Sequence, residues 1–137
     1  INDYTERIGH YMPFEIITIP ELKNTKNLIE EQQKQMEGDL IARQLQPSDT
    51  VVLMDEHGRE FRSGEFAGWL EQKRNTARRL VFIIGGPYGF SERIYDRANE
   101  KISLSRMTFS HQMVRLIFTE QIYRACTIIR GEPYHHE

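Results

Sequence analysis

Residues Leu80-Val81-Phe82-Ile83-Ile84 run straight into Gly85-Gly86-Pro87-Tyr88-Gly89-Phe90, and this junction constrains the fold more than any other feature of the chain. Five consecutive β-favouring apolar residues read as a strand covered on both faces, because a half-exposed strand alternates apolar with polar. Such a strand needs helices above and below its sheet. The glycines that end it suit a place where another group comes close to bare backbone. About twenty residues on, Leu104-Ser105-Arg106-Met107-Thr108-Phe109-Ser110-His111 repeats the step from strand to loop just before a long apolar helix.

The remaining segments fit that frame. Residues 1–10 read as the tail of a helix, and Phe14 to Ile19 as a strand closed by Pro20, which removes a ladder donor. Asn24 or Thr25 caps a helix reaching Leu45, whose narrow apolar stripe is Leu28, Met36, Leu40 and Ile41. Thr50 to Asp55 is expected as a strand ended by His57-Gly58, and Ser63 caps a helix over 64–75. Leu80 to Ile84 is expected as the central strand, Ser91 caps a short helix through Ala98, and Ile102 to Ser105 forms a further strand. Alternating strands and helices predict an α/β fold with a parallel sheet, helices on its faces and right-handed crossovers. At 137 residues the chain matches one ordinary domain spanning 1–137.

The last helix, about Ser110 to Ile129, is apolar over more than one face. It must be buried on two sides. One side is its own sheet; the other is either a second subunit across a two-fold axis or further parts of the same chain. With the single cysteine Cys126 there is no internal disulfide framework, which fits a reducing compartment, the cytoplasm by default. No apolar run approaches the roughly 20 residues of a membrane span, and no signal peptide is visible. A net charge of −2 argues against gripping nucleic acid through an overall field. Two local basic clusters remain, Lys73, Arg74, Arg78 and Arg79, and Arg115, Arg124 and Arg130; each reads as a solvated helix face or as an RNA contact.

Three strand ends, Leu53-Met54-Asp55, Ile84-Gly85-Gly86 and Leu104-Ser105-Arg106, would gather at the carboxyl edge of the sheet, where open α/β proteins bind ligands. The glycine pattern is neither a GxGxxG fingerprint nor a phosphate loop, since no lysine follows it. That favours backbone hydrogen bonds to a neutral ring over a phosphate cradle, although a plain turn also explains the glycines. Hydrolytic chemistry lacks its parts: there is no GxSxG elbow, and Cys126 lies inside the apolar helix. The five histidines lack zinc spacing, so no metal is expected.

Residues Ile84 to Gly89, Leu104 to Arg115, Glu120-Gln121-Ile122-Tyr123-Arg124-Ala125 and Arg130-Gly131-Glu132-Pro133-Tyr134-His135 together resemble the ribosomal RNA large subunit methyltransferase H family, small bacterial members of the SPOUT methyltransferases. The likeness covers essentially the whole chain and is densest over 80–136. It implies a SPOUT-type parallel sheet with a C-terminal deep trefoil knot, an exception to ordinary chain topology, and a homodimer. It further implies S-adenosylmethionine as methyl donor, and as acceptor N3 of a pseudouridine in 23S rRNA of the assembled ribosome. By position, donor contacts fall on Met54, Gly85, Leu104, Ser105, Arg106, Met107, Thr108 and Phe109. The family begins with a short strand ahead of the first helix, and this chain starts inside that helix, so one strand of the expected sheet is unaccounted for. Met54 stands where leucine is frequent, a near volume-conserving exchange. Ser110 replaces a common proline and can cap the last helix instead.

Methyl transfer from a sulfonium to a ring nitrogen needs donor carbon, nitrogen and sulfur in line, so positioning carries much of the rate. The imide proton must also leave, which a nearby base assists. His111, Arg130, Tyr134 and His135 are expected around the acceptor, with Tyr134 stacking on the base and His111 or His135 handling the proton. The plainer alternatives are that His111 only ties down the loop before it and that Tyr134 and His135 form a disordered end. Arg115, Glu120 and Arg124 fall to subunit pairing or RNA docking. Rival functions are a SPOUT methyltransferase acting on tRNA and a non-catalytic ribosome-binding protein of the same fold; a nucleotide hydrolase lacks its nucleophile.

Overall fold

The computed structural model describes residues 2–19, 22, 26, 28–86 and 88–136. In chain order they form helices α1 (Asn2–Gly9) and α2 (Glu30–Ala42), strand β1 (Thr50–Glu60), helix α3 (Ser63–Thr76), strand β2 (Leu80–Ile84), helix α4 (Glu92–Arg97), strand β3 (Glu100–Ser103) and helix α5 (His111–Arg130). The three strands pair in parallel in the order β2-β1-β3. Among the described residues no helix is long and apolar enough to cross a membrane.

The parallel α/β expectation holds, with several corrections. Arg62 rather than Ser63 stands at the N-cap of α3, Ser63 Oγ donating instead to Gln121 at 2.9 Å; Ser91 stands at the N-cap of α4 without a side-chain cap bond; and β3 covers Glu100–Ser103 rather than 102–105. The central strand is β1 rather than β2, because the segments following β1 send one strand to each of its edges. Residues 14–19 form no strand: no neighbour offers them a ladder, and Ile16 and Ile17 are exposed. Helix α2 begins at Glu30, where Gln32 accepts from the Ile29 N–H at 3.2 Å; the expected caps Asn24 and Thr25 lie outside the described residues. Its contact residues also differ, since Met36 is exposed while Gly38 is buried. Finally, β1 does not stop at His57-Gly58. It pairs with β3 up to Met54↔Ile102, shifts register, and resumes with Arg59↔Ile102 and Glu60↔Ser103. Gly58 permits this, because a Cβ there would lie 2.6–2.7 Å from backbone atoms of Ile102 and Lys101. The glycine read as a strand end is the residue that lets the strand pass.

Period-two alternation along β1 sends Val51 and Leu53 to one face and Val52 to the other, all fully buried. Val51 and Leu53 meet Ile83, Phe90 and Ile94, with Ile41, Ala42 and Leu45 of α2 and its exit covering them. On the opposite face Val52 and Ile102 meet Phe66, Trp69 and Leu70 of α3 and Phe118, Ile122 and Cys126 of α5, with Ile8 of α1 closing the cluster. The result is a helix–sheet–helix sandwich. Gly38 is tied to this arrangement, because a Cβ there would meet Ser91 Oγ where α2 crosses the start of α4.

The loop before β1 is pinned by Asp49, whose carboxylate is fully buried and receives Arg79 Nε at 2.8 Å, Arg79 Nη2 at 2.6 Å and the Gln46 N–H at 2.7 Å. The Arg79 hydrogen bonds hold the Asp49 carboxyl below its ordinary value. Asp49→Asn should therefore lower stability at pH 7 by about 2 kcal/mol, the range for hydrogen bonds to a charged group. A lowered folded-state pKa gives stability that is complete above about pH 4 and lost as pH falls through the lowered value. Urea unfolding across pH should show the two proteins separated at neutrality and converging in acid; a constant gap would refute the ion pair as the cause.

Candidate active site

Register places two of the predicted strand ends at one level. Met54 sits opposite Ile84 on β2 and opposite Ile102 on β3, so Gly85 and the run from Leu104 leave the sheet on either side of it. The turn after β3 is built from its own serines: Ser103 Oγ donates to the Ser105 carbonyl at 2.8 Å, and Ser105 Oγ accepts from the Met107 N–H at 3.0 Å. Thr108 reaches Glu56 at 3.3 Å, tying the run to the extension of β1. This turn pushes side chains outward, leaving Met107 73% and Phe109 39% exposed. Ser110 then caps α5, its Oγ accepting from the Met113 N–H at 3.3 Å, as expected.

Beside this run is a cleft of about 260 Å³. Leu104, Ser105 and Phe109 line it, with Phe61 and Phe66 supplying apolar walls and Gln121 a polar one. Ligand pockets begin at around 300 Å³, so the cleft can take part of a nucleoside-sized molecule. Met54 and Gly85 do not line it; Met54 packs partly buried against the α3–α5 core. The room at the glycine loop is already used by this chain. A Cβ at Gly85 would press on the Phe90 ring at 3.0 Å, and one at Gly86 would collide with the Glu37 carboxylate. Gly89, with φ +79, closes the turn by donating to the Gly86 carbonyl at 3.2 Å.

Asp55, one residue past Met54, accepts from the Tyr95 hydroxyl at 2.6 Å and the His57 N–H at 2.8 Å. Burial pushes the Asp55 carboxyl up, but these two partners outweigh it and hold it below its usual value. Burial and the same bond push the Tyr95 phenol up to about 12. The pair fastens the middle of β1 to α4.

A second constellation lies at the other end of α5. Gly131, with φ +71, ends the helix, and the Glu132 N–H returns to the Thr127 carbonyl at 2.9 Å, so the tail folds back on the helix. Tyr134 then packs edge-on against Tyr123 with ring centres 4.8 Å apart and donates to Glu120 at 3.0 Å. Glu120 also receives Arg124 through Nε at 3.1 Å and Nη2 at 2.7 Å. Arg124 lies over the Tyr134 ring at 4.9 Å and reaches His135 Nδ1 at 2.9 Å. A guanidinium only donates, so Nδ1 accepts and the imidazole proton sits on Nε2. Burial, then the bond to Glu120, pushes the Tyr134 phenol up to about 12, so it stays protonated at neutral pH and serves as a donor rather than a base.

The predicted acceptor-side residues are thus divided. Tyr134 and His135 share the Glu120–Arg124 pair, and Arg130 lies at the same end with its guanidinium 5.0 Å over the Tyr11 ring. His111 is exposed at the opposite end of the helix. Nineteen residues of α-helix separate it from Arg130 by roughly 28 Å. Glu120 and Arg124 hold the tail, a role beyond the subunit pairing or RNA docking expected of them; their i, i+4 spacing signals the ion pair that does so.

The chain matches the model of the family described as predicted SPOUT methyltransferase over residues 1–135. It is 67% identical to the ribosomal RNA large subunit methyltransferase H of Bacteroides fragilis, across 100% of this chain and 88% of that protein. The protein of the same name from Phocaeicola vulgatus is also 67% identical over the same shares, and that from Flavobacterium johnsoniae 55%. An α/β fold with a three-stranded parallel sheet between helices, a family match over 1–135 and relatives at this identity lead to one conclusion: the chain belongs to the SPOUT methyltransferase family and is a methyltransferase.

Proposed function

We propose that this methyltransferase moves the methyl group of S-adenosylmethionine to N3 of a pseudouridine in 23S rRNA, acting on the assembled ribosome in the cytoplasm. The observation that carries this reading is the 67% identity, over the whole chain, to relatives named for large-subunit ribosomal RNA. In the transfer the sulfur–carbon bond breaks as the carbon–N3 bond forms, and the N3 proton passes to a base.

The donor is assigned to Met54, Gly85 and the run Leu104, Ser105, Arg106, Met107, Thr108 and Phe109. The cleft beside that run suits a nucleoside by its chemistry: Leu104 and Phe109 offer apolar surface, while Ser105 and Gln121 offer hydrogen-bonding groups. The acceptor base is assigned to Tyr134, His135, Arg130 and His111. Because His135 Nδ1 is engaged by Arg124, proton transfer there requires Arg124 to release it.

The whole chain acts as one domain, its C-terminal segment threaded as a deep trefoil knot, and two copies pair as a homodimer. Pairing explains the divided acceptor set: an antiparallel partner helix would set His111 of one subunit near Tyr134 of the other. Calorimetry with S-adenosylmethionine, followed by methyl transfer to ribosomes, free rRNA and tRNA, tests the proposal. Donor binding with transfer to ribosomes alone is expected. Transfer to free tRNA would identify a tRNA enzyme, and absence of donor binding a non-catalytic ribosome-binding protein.

A further inference from the structure

A notch of about 190 Å³ opens where α1 crosses the end of α5, lined by Arg7, His10, Tyr11, Tyr123, Arg130 and Glu132. Its two guanidiniums are held in place by rings: Arg130 lies over Tyr11 at 5.0 Å, and Arg7 over Tyr123 at 5.7 Å with Nη1 3.5 Å from the Tyr123 hydroxyl. Among the described residues neither guanidinium makes an ion pair with a carboxylate. The one acid in the notch, Glu132, accepts from the Tyr11 hydroxyl at 2.8 Å, which holds its carboxylate on the Tyr11 side. Two oriented guanidiniums against one carboxylate leave the concavity with a net positive charge and form a site for an oxyanion, because a guanidinium stacked on a ring keeps its edge N–H groups available.

The neighbourhood identifies the anion. Tyr123, which forms one wall, also carries Tyr134 edge-on against its ring, so the notch adjoins the tail assigned to the acceptor base. We propose that Arg7, His10 and Arg130 receive a phosphodiester of the RNA strand flanking the methylated nucleotide, making α1 part of the RNA-docking surface. This rests on the reading that the acceptor is ribosomal RNA. The acidic net charge of −2 makes such local seats necessary, since the protein has no overall field to hold RNA.

The test compares the parent protein with Arg7→Gln and Arg7→Lys, measuring ribosome binding by filter retention and methyl transfer across a range of salt concentrations. Arg7→Gln should bind ribosomes about tenfold more weakly at low salt, and its log–log salt dependence should be flatter by about one. S-adenosylmethionine affinity and turnover at saturating ribosomes should be unchanged, and Arg7→Lys should keep the parent slope. An unchanged slope in Arg7→Gln overturns the proposal, as does its dissociation to monomers, which would make the notch a subunit contact. Uridine monophosphate binding that Arg7→Gln abolishes, with ribosome affinity intact, would reassign the notch to a free nucleotide. If binding follows Arg7 but no methyl is transferred even by the parent, the proposed function fails while the docking notch stands.

Discussion

Tyr134→Ala should lower methyl transfer to ribosomes by at least about 100-fold, the cost of misplacing a reacting group by an ångström or so, while S-adenosylmethionine affinity stays within about twofold. The expectation follows from how the tail is held. Tyr134 is locked between the Tyr123 ring, the Arg124 guanidinium and the Glu120 carboxylate, so its loss removes a candidate stacking surface and frees the segment that carries His135. The run Leu104 to Phe109, proposed to hold the donor, precedes the opposite end of α5 and is untouched. Tyr134→Phe keeps the ring but loses the bond to Glu120, and should retain most activity if stacking is the role. With a phenol pKa near 12, Tyr134 itself should add no inflection to the pH–rate profile in the neutral range. Activity of Tyr134→Ala at the parent rate would remove the tail from the mechanism.

Gly58→Ala should destabilise the fold by about 3 kcal/mol, at the upper end of overpacking costs. A Cβ at this position meets main-chain atoms of Ile102 and Lys101, which cannot swing aside as a side chain would. Relief requires β1 to separate from β3 in the stretch where Arg59 and Glu60 resume pairing. For a chain of this length the midpoint of thermal unfolding should fall by roughly 10 °C. Calorimetry provides the check, with an Ala variant at Gly68, which has open space around it, as the control. An unchanged midpoint would mean that β1 ends before Gly58.

The apolar run at 80–84 and the serine cap at 110 made β2 and α5 legible in the sequence, because these signals are local; Ser91 marks the start of α4 by position alone, its side chain making no cap hydrogen bond. What sequence could not convey was pairing. A strand exists only beside another strand, so residues 14–19 had the composition of one and no ladder to join, and β1 became central through its neighbours rather than through its own residues. His57-Gly58 looked like a stop because glycine signals both turns and close backbone crossings. The glycines at 85 and 86 show the same ambiguity: bare backbone suggested an approaching ligand, and the groups that approach are Phe90 and Glu37. The role of Glu120 and Arg124 in holding the tail depends on the helix-ending Gly131, whose left-handed turn brings Tyr134 back over residues ten and more positions earlier.

Mass spectrometry of rRNA fragments, after ribosomes are incubated with this protein and isotope-labelled S-adenosylmethionine, tests the account most directly. One labelled methyl on N3 of a single pseudouridine in the large-subunit RNA is the predicted result. Unlabelled ribosomes beside labelled tRNA, or no labelled RNA from a protein that binds the donor, would contradict it.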